Sequence, residues 1–358
     1  MHEAMAHLLL EGFTPYPEEF VTRYRALGYW EDRSLAEFFR DVCSTFAQRV
    51  ALVAHNERIT YHQLLMRSER LALHLLRLGV QPQDRIVVQL PNIPEFVYLY
   101  IALQMVGAIP ILALPAHREA EIDQFVKTGG AIGYAIPEHT RDFAFAPLAQ
   151  EMQRRNAHLR LILVAGKAIL PGSVSLTELL ATESGQDSEQ LKQIPIDPLA
   201  PAVLLLSGGT TGIPKLIPRT HNDYVYNSKA AAGVTDVQQD DALLIVLPIA
   251  HNFPLACPGL QGFLMQGARC VLSSSARISD ICALIQREKI THLALVPTLL
   301  IRLINDPCLC EYDLSSLRII NTGGQKLQQE VKQRTEELLP GCKVQEVFGM
   351  AEGLLCYV

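Results

Sequence analysis

Short apolar segments alternate with amphipathic helical patterns along almost the whole chain. Buried strands are predicted at residues 50–54, 58–60, 85–90, 109–114, 159–164, 202–206, 242–247, 269–272, 292–296, 317–320 and 343–347. Helical patterns separate most of these strands, as at residues 61–78, which Thr60 can cap and Gly79 can end. Strands that alternate with helices form mainly parallel sheets with covered faces. The sequence therefore predicts an α/β fold with two packed, mainly parallel sheets and flanking helices.

One polar stretch interrupts this alternation. Residues 181–189 contain almost no apolar anchor and predict a boundary between two α/β subdomains. We expect a helical lead-in at residues 1–48, a first subdomain at 49–190 and a second at 191–358. Within the lead-in, Ser34 suits the N-cap of a helix. The final apolar run, residues 353–358, has no closing helix, so we expect the second sheet to be incomplete at its C-terminal end.

An apolar stretch at residues 96–116 is long enough to span a bilayer. Gln104 is its only strongly polar side chain, but Gly107 and Pro110 interrupt it. The stretch therefore fits a helix followed by a short buried strand, and we expect no membrane association. Nucleic acid is not an expected partner either. The chain has 31 Lys and Arg against 37 Asp and Glu, a formal net charge of −6, and no basic block.

Eight cysteines lie mostly in apolar contexts, and the N-terminus lacks the features of a secretory signal. This usage predicts reduced, buried thiols in a cytoplasmic protein. No Cys-x-x-Cys or His-x-x-x-His spacing occurs, and Cys308-x-Cys310 is too tight for the usual zinc site. We therefore expect no structural metal.

The sharpest chemical signal is the sequence Ser-Gly-Gly-Thr-Thr-Gly-Ile-Pro-Lys, which directly follows an apolar run. Its glycines let backbone N–H groups approach an anion, its hydroxyls add donors, and its lysine supplies a charge. The predicted phosphate-binding residues are Ser207, Gly208, Gly209, Thr210, Thr211, Gly212 and Lys215. The common nucleotide loop needs Gly-Lys-Ser/Thr, whereas Pro214 and Leu216 flank the lysine here. An unrelated phosphate-binding kinase is therefore a weak alternative.

Several ordered motifs, together with this loop, resemble those of the adenylate-forming enzymes: acyl-CoA synthetases, luciferases and peptide-synthetase adenylation domains. They are Leu-Pro-Asn-Ile-Pro-Glu at 90–95, Gly-Ala-Ile-Pro at 107–110, His-Asn-Phe-Pro at 251–254, Asn-Thr-Gly-Gly at 321–324 and Val-Phe-Gly-Met-Ala-Glu-Gly at 347–353. Residues 13–20, 114–118 and 215–224 further resemble the stand-alone aryl-acid ligases of siderophore and non-ribosomal peptide biosynthesis. The resemblance covers nearly the whole chain and implies the fold of that family's N-terminal domain.

The resemblance implies a two-step reaction. A carboxylate attacks the α-phosphorus of ATP, giving an acyl-adenylate and pyrophosphate, and a phosphopantetheine thiol of an aryl carrier protein then takes the acyl group. Positioning and charge neutralisation dominate such chemistry. The family pattern assigns catalytic roles to Lys215, His251 and Glu352, with Glu352 binding Mg²⁺. It assigns nucleotide contacts to Gly324, Gln325, Val347, Gly349, Met350, Ala351 and Glu352.

The aryl-acid site is implied by the same resemblance. Asn252 matches the residue that binds the 2-hydroxyl, Phe253 suits an apolar wall, and His251 would gate the route to the nucleotide. Cys257 and Leu355 resemble salicylate-activating members, because a thiol is a poor partner for a 3-hydroxyl. An unpartnered buried hydroxyl costs about 1–3 kcal/mol, which favours salicylate. The alternative substrate is 2,3-dihydroxybenzoate.

The resembling family continues beyond the position of Val358, with a motif whose aspartate binds ribose, a hinge, and a small C-terminal lid domain that carries a catalytic lysine. The lid domain has no counterpart in these residues. We therefore expect the chain as given to be inactive or impaired as a ligase. A second reading is a non-catalytic remnant that only binds an aryl acid.

Overall fold

The computed structural model describes residues 10–140, 143–207, 212 and 214–358. These residues form two compact units. Unit 1 comprises the described parts of Met1–Cys43, Gln63–Pro91 and Glu95–Tyr226, and unit 2 comprises Ser44–His62, Asn92–Pro94 and Asn227–Val358. Each unit is built around one mainly parallel sheet, which confirms the predicted fold class.

The elements follow the predicted alternation closely. The strands are β1 (Val50–Ala54), β2 (Glu57–Thr60), β3 (Arg85–Val88), β4 (Ile109–Leu112), β5 (Gly133–Pro137), β6 (Leu161–Ala165), β7 (Val174–Ser175), β8 (Pro201–Leu206), β9 (Leu216–Thr220), β10 (Ala242–Ile245), β11 (Arg269–Leu272), β12 (His292–Leu295), β13 (Ile319–Gly323), β14 (Lys343–Gly349) and β15 (Leu355–Tyr357). The helices are α1 (Glu18–Ala26), α2 (Leu35–Thr45), α3 (Tyr61–Arg77), α4 (Pro94–Met105), α5 (Glu119–Gly129), α6 (Phe145–Arg155), α7 (Leu176–Ala181), α8 (His221–Val234), α9 (Asn252–Ala256), α10 (Gly259–Met265), α11 (Ile278–Glu288), α12 (Pro297–Ile304) and α13 (Gln329–Leu338).

Unit 1 contains a seven-stranded sheet in the order β7-β6-β5-β3-β4-β8-β9. All neighbouring strands are parallel except β8 and β9, which form an antiparallel hairpin at the edge. Helix α4 is buried along its whole length from Phe96 to Met105, which explains why its sequence is apolar on every side. The Gln104 amide nitrogen donates to the Ala202 carbonyl oxygen at 2.9 Å, while its Oε1 is buried without a partner among the described residues. Within the part of the chain that the structure describes, no helix is long and apolar enough to cross a membrane.

The N-terminal helices of unit 1 are held by one short segment, residues 219–223, which we call the clamp. Asn222 exchanges two hydrogen bonds with Asp32, each 3.0 Å long, through the Asp32 backbone N–H and carboxylate. His221 Nδ1 accepts a 3.2 Å hydrogen bond from the Leu35 backbone N–H at the start of α2. The fully buried Arg219 of β9 forms an ion pair with Asp223 in the first turn of α8. The Arg-Thr-His-Asn-Asp motif therefore has a structural use.

Unit 2 contains an eight-stranded sheet in the order β15-β14-β13-β12-β10-β11-β1-β2. Only the strands at its two edges, β2 and β15, run antiparallel to their neighbours. One face packs against α11 and α12 in a core that includes Ile285, Leu300, Ile320 and Val344.

The division between the units differs from the predicted boundary at residues 190 and 191. Strand β8 pairs with β4 through Ile111 and Leu204, so residues up to 226 belong with the first sheet. Strands β1 and β2 in turn belong to the second sheet, because Leu52 pairs with Cys270 on β11. Backbone pairing between strands distant in sequence decides these assignments, and composition does not record it.

The prediction that the cysteines are buried holds for five of the eight. Cys43, Cys257, Cys270, Cys282 and Cys342 are buried. The prediction is wrong for Cys308, which is half-buried, and for Cys310 and Cys356, which are exposed. Cys310 lies in a short 3₁₀ turn and Cys356 on an edge strand, where alternate side chains face solvent. None of the eight, all of which lie among the described residues, forms a disulfide.

Candidate functional site

The predicted site residues fall into two groups, one in each unit. In unit 1, the predicted phosphate-binding residues lie between the two strands of the β8–β9 hairpin. The Ser207 N–H donates to the Lys215 carbonyl oxygen at 3.0 Å, and the Lys215 N–H donates to Ser207 Oγ at 2.9 Å. The loop is thus closed at its base, while the Lys215 side chain and Gly212 are exposed. Gly208, Gly209, Thr210 and Thr211 lie outside the described residues.

In unit 2, the predicted nucleotide residues lie at the carboxyl ends of β13 and β14, the edge where parallel α/β sheets bind ligands. Three glycines at this edge occupy positions where a larger side chain would clash or strain the backbone. A Cβ on Gly323 would lie 2.7 Å from the Val347 carbonyl oxygen, and Gly324 has a φ of +86°. A Cβ on Gly349 would lie 2.7 Å from the Leu355 side chain. Gly324 and Gln325 are exposed beside the buried Val347, which leaves an accessible ledge at this edge.

A tight turn joins β14 to β15. The Met350 N–H donates to the Leu354 carbonyl oxygen at 3.0 Å, and the Gly353 N–H donates to the Met350 carbonyl oxygen at 3.2 Å. Ala351 is half-buried, and the Met350 and Glu352 side chains are exposed on this turn. Mg²⁺ is commonly bound by one or two carboxylates together with phosphate oxygens and water. An exposed carboxylate on a constrained turn fits that pattern.

His251 follows β10 and caps the short helix α9. Its Nδ1 accepts a 3.1 Å hydrogen bond from the Phe253 backbone N–H, so the ring proton of the neutral form sits on Nε2. The ring edge is exposed, yet the surrounding protein displaces enough water to lower the pKa of His251. The imidazole is therefore neutral at pH 7, with an N–H available to donate.

The segment that carries His251 is positioned by Asn92, whose role the sequence did not reveal. The Asn92 amide nitrogen donates to the Leu247 carbonyl oxygen at 3.0 Å, and its Oδ1 accepts from the Ile249 N–H at 2.8 Å. One buried amide thus satisfies backbone groups on both sides of the bend after β10.

The remaining predicted aryl-acid residues are Asn252, Phe253, Cys257 and Leu355; with His251 we call them the acyl cluster. Asn252, Phe253 and Leu355 are half-buried, and Cys257 is buried. Helix α9 places the first two and ends at Cys257. Leu355 pairs in register with Gly349, so the acyl cluster lies next to the predicted nucleotide residues at the end of β14.

The strands beside the acyl cluster also carry polar residues to which the sequence assigned no role in the site. Asn321 Oδ1, Gln345 Oε1 and the Tyr357 hydroxyl are buried and have no hydrogen-bond partner among the described residues. The alternation of β15 could have predicted Tyr357, because it lies two residues after Leu355 and so on the same face.

A cavity of about 470 Å³ lies elsewhere in unit 2, between the 3₁₀ turn at Leu309–Glu311 and the end of α13. Leu309, Cys310, Tyr312 and Leu338 are among its lining residues. It includes no predicted site residue, and one of its two carboxylates, Asp313, is already paired with Lys289 at 2.7 Å.

Comparison with known proteins identifies the family of the chain. Residues 39–358 match the family model described as AMP-binding enzyme. The chain is 40% identical over 349 residues to the 2,3-dihydroxybenzoate-AMP ligase of Bacillus subtilis, covering 98% of this chain and 63% of that protein. It is 40% identical over 353 residues to a salicylyl-CoA synthase/salicylate adenylyltransferase of a Streptomyces species, covering 97% and 63%.

Among solved structures, the apo structure of MbtA from Mycobacterium smegmatis superposes with a TM-score of 0.87 at 39% identity, covering 97% of this chain and 62% of that one. The chain thus spans less than two thirds of the length of these relatives. The family model matches most of the chain and the relatives match nearly all of it, so the chain belongs to the AMP-binding family of adenylate-forming ligases.

Proposed function

We propose that this chain provides the ATP-binding and acyl-binding residues of an aryl-acid–AMP ligase. The observation that carries the proposal is the ledge at the carboxyl ends of β13 and β14. Steric constraints require glycine at Gly323, Gly324 and Gly349 there, and Glu352 is exposed on the turn that follows. Gly349 pairs with Leu355, a member of the acyl cluster. Relatives named as ligases of 2,3-dihydroxybenzoate and of salicylate share about two fifths of its residues.

In the proposed first step, a carboxylate oxygen of the aryl acid forms a bond to the α-phosphorus of ATP. The bond from that phosphorus to the bridging oxygen breaks, and pyrophosphate leaves with the electron pair. The family pattern assigns Lys215 to charge neutralisation of the phosphates. It assigns Glu352 to Mg²⁺, which supplies further charge neutralisation when bound. The neutral His251 can donate its Nε2–H to an oxygen of the carboxylate or phosphate.

In the proposed second step, a carrier-protein thiol attacks the acyl carbon and loses its proton, a thioester forms, and AMP leaves. We place this reaction in the cytoplasm, where ATP is available, and its product in siderophore assembly. Both follow from the resemblance to aryl-acid ligases.

For the acyl group we propose salicylate. Asn252 offers a donor and an acceptor for the 2-hydroxyl, and Phe253 offers a flat apolar surface for the ring. Cys257 provides only a weak donor at the position that would meet a 3-hydroxyl, and Leu355 fills more space than valine.

The test is ligand binding to the 358-residue chain, read as a change in melting temperature and by calorimetry. The ligands are salicylate, benzoate and a non-hydrolysable salicyl-adenylate analogue. We expect the largest rise in melting temperature with the analogue, because it contacts both the nucleotide-binding and the acyl-binding residues. Salicylate should raise the melting temperature more than benzoate does.

Glu352→Gln is the matched variant, since it removes a charge from an exposed turn without changing side-chain volume. It should reduce the effect of Mg²⁺ on ATP binding and leave salicylate binding unchanged. No shift with any ligand would overturn the proposal. Release of ADP rather than AMP and pyrophosphate by an active, longer form would instead support a kinase.

A further inference from the structure

Three neighbouring strands of unit 2 present unpaired oxygens on one face of the sheet. Asn321 on β13 is in register with Gln345 on β14, and Tyr357 on β15 is in register with Val347, two residues after Gln345. Paired and alternate residues lie on the same face, so these three side chains share one face. The adjacent residues Ile320 and Val344 point to the opposite face and belong to the apolar core. We call Asn321, Gln345 and Tyr357 the oxygen face.

Unpaired oxygens are unusual in a folded interior. A buried polar group without a partner costs about 1–3 kcal/mol, and most such groups are satisfied by protein or ordered water. Asn321 is 3% exposed and Gln345 is 6% exposed, so bulk water does not reach them freely. Single unpaired oxygens also occur at Ser68, Gln104 and Thr322, whereas here two amide carbonyls and one hydroxyl share one face. This grouping fits a place that a hydrogen-bonding ligand completes.

Tyr357 connects this face to the acyl cluster. Burial, and then the neighbouring Cys257 thiol, raise the pKa of Tyr357 well above 10. The phenol thus keeps its proton at physiological pH and can both donate and accept. Tyr357 also lies two residues after Leu355 on β15, so its side chain is on the same face of the sheet as that member of the acyl cluster.

We propose that the Tyr357 hydroxyl binds a second ring hydroxyl of the aryl acid, so that this chain accepts 2,3-dihydroxybenzoate as well as salicylate. The proposal rests on the proposed function. Asn252 serves the 2-hydroxyl of both acids, and Tyr357 supplies the 3-hydroxyl with the partner that the Cys257 thiol does not. Tyr357 thereby widens the substrate range that Cys257 and Leu355 would otherwise restrict.

The first experiment varies the ligand and leaves the protein unchanged. Calorimetry on the 358-residue chain would compare salicylate, 2,3-dihydroxybenzoate and 3-methylsalicylate, each also as its non-hydrolysable adenylate analogue. A methyl group fills about the same space as a hydroxyl but cannot hydrogen-bond. We expect 2,3-dihydroxybenzoate to bind within a few-fold of salicylate and about tenfold more tightly than 3-methylsalicylate.

The second experiment removes only the hydroxyl, as Tyr357→Phe. It should weaken 2,3-dihydroxybenzoate binding by about tenfold to a hundredfold and leave salicylate within about twofold. Tyr312→Phe, which removes a hydroxyl elsewhere in unit 2, is the matched control and should change neither affinity. A melting curve checks that Tyr357→Phe is folded, and a purely structural role would weaken both acids equally.

The outcomes separate the two proposals. If none of the acids or analogues binds, the proposed function fails, and this inference fails with it. If salicylate binds but Tyr357→Phe alters both acids alike or neither, only the role of Tyr357 is overturned. Should that variant fail to fold, binding of 3-methylsalicylate as tight as that of 2,3-dihydroxybenzoate by the unaltered chain would overturn it.

Discussion

The clamp of unit 1 and the oxygen face of unit 2 are both groups of buried polar side chains. They differ in whether their hydrogen bonds are complete. In the clamp, Arg219, His221 and Asn222 each have a partner within the protein. On the oxygen face, Gln345 Oε1 and the Tyr357 hydroxyl have none among the described residues. Complete pairing is typical of a polar cluster that holds the fold, and the grouping of unpaired oxygens on one face fits a cluster that binds a ligand.

The largest expected effect comes from breaking the clamp at its ion pair. Asp223→Ala leaves the fully buried Arg219 without its carboxylate, which should lower the free energy of unfolding by about 3–5 kcal/mol. Urea denaturation measures this loss. Because the clamp is structural, the ratio of salicylate to 2,3-dihydroxybenzoate affinity should not change in any folded fraction.

The double variant Arg219→Met with Asp223→Ala is the control, because it removes both charges. It should recover much of the loss, since no buried charge is then unpaired. Equal destabilisation by the single and double variants would show that packing, rather than charge pairing, explains the motif.

A smaller effect should appear as a pH dependence of the same clamp. Burial lowers the pKa of His221 from 6.5 to about 3, because loss of water disfavours the charged ring. The folded-state pKa lies below the unfolded one, so this contribution is fully present above pH 6.5 and is lost as the pH falls towards 3. At pH 5 the loss is about 2 kcal/mol.

The pH effect is measured as the unfolding free energy at pH 7 and pH 5 for the unaltered chain and for His221→Asn. Asparagine retains an acceptor but does not titrate in this range. We expect the unaltered chain to lose about 2 kcal/mol more than the variant over that interval. Parallel losses would assign the pH dependence to other groups, such as the buried His292 of unit 2.

The sequence predicted the helices and strands more successfully than the contacts that those elements make with distant parts of the chain. Strands such as β4 and β12 follow from short apolar runs, and the helix–strand reading of residues 96–116 is confirmed. The placement of β8 in the first sheet and the pairing of Asn222 with Asp32 depend on contacts between distant residues, which periodicity does not encode. Likewise, the sequence indicated Cys257 and Leu355, but only strand register shows that Tyr357 shares a face with Gln345.

A third prediction tests the proposed ligand contact of the oxygen face by adding a second hydrogen-bond partner for the 3-hydroxyl. Cys257→Ser places a hydroxyl where the thiol is a weak donor, and serine differs little in size. Relative to salicylate, 2,3-dihydroxybenzoate should bind about threefold to tenfold more tightly, because its 3-hydroxyl gains a second partner. Calorimetry on the serine variant measures the ratio, and Cys356→Ser on the exposed side of β15 is the control. An unchanged ratio would place the 3-position of the ring away from Cys257.

The smallest expected effect concerns shape rather than hydrogen bonding. Leu355→Val removes one methylene from a half-buried side chain that contacts the site of Gly349. A methylene in an enclosed apolar site is worth about 1–3 kcal/mol, and partial exposure reduces this, so we expect salicylate to bind about threefold more weakly. The 3-hydroxyl of 2,3-dihydroxybenzoate would occupy the space released, and that acid should lose less. In the double variant with Tyr357→Phe, the ratio of 2,3-dihydroxybenzoate to salicylate affinity should no longer rise. Extra space does not offset the cost of burying a hydroxyl without a hydrogen-bond partner. If the valine variant alone restored 2,3-dihydroxybenzoate binding in the Tyr357→Phe background, volume and not the oxygen face would determine which acid is accepted.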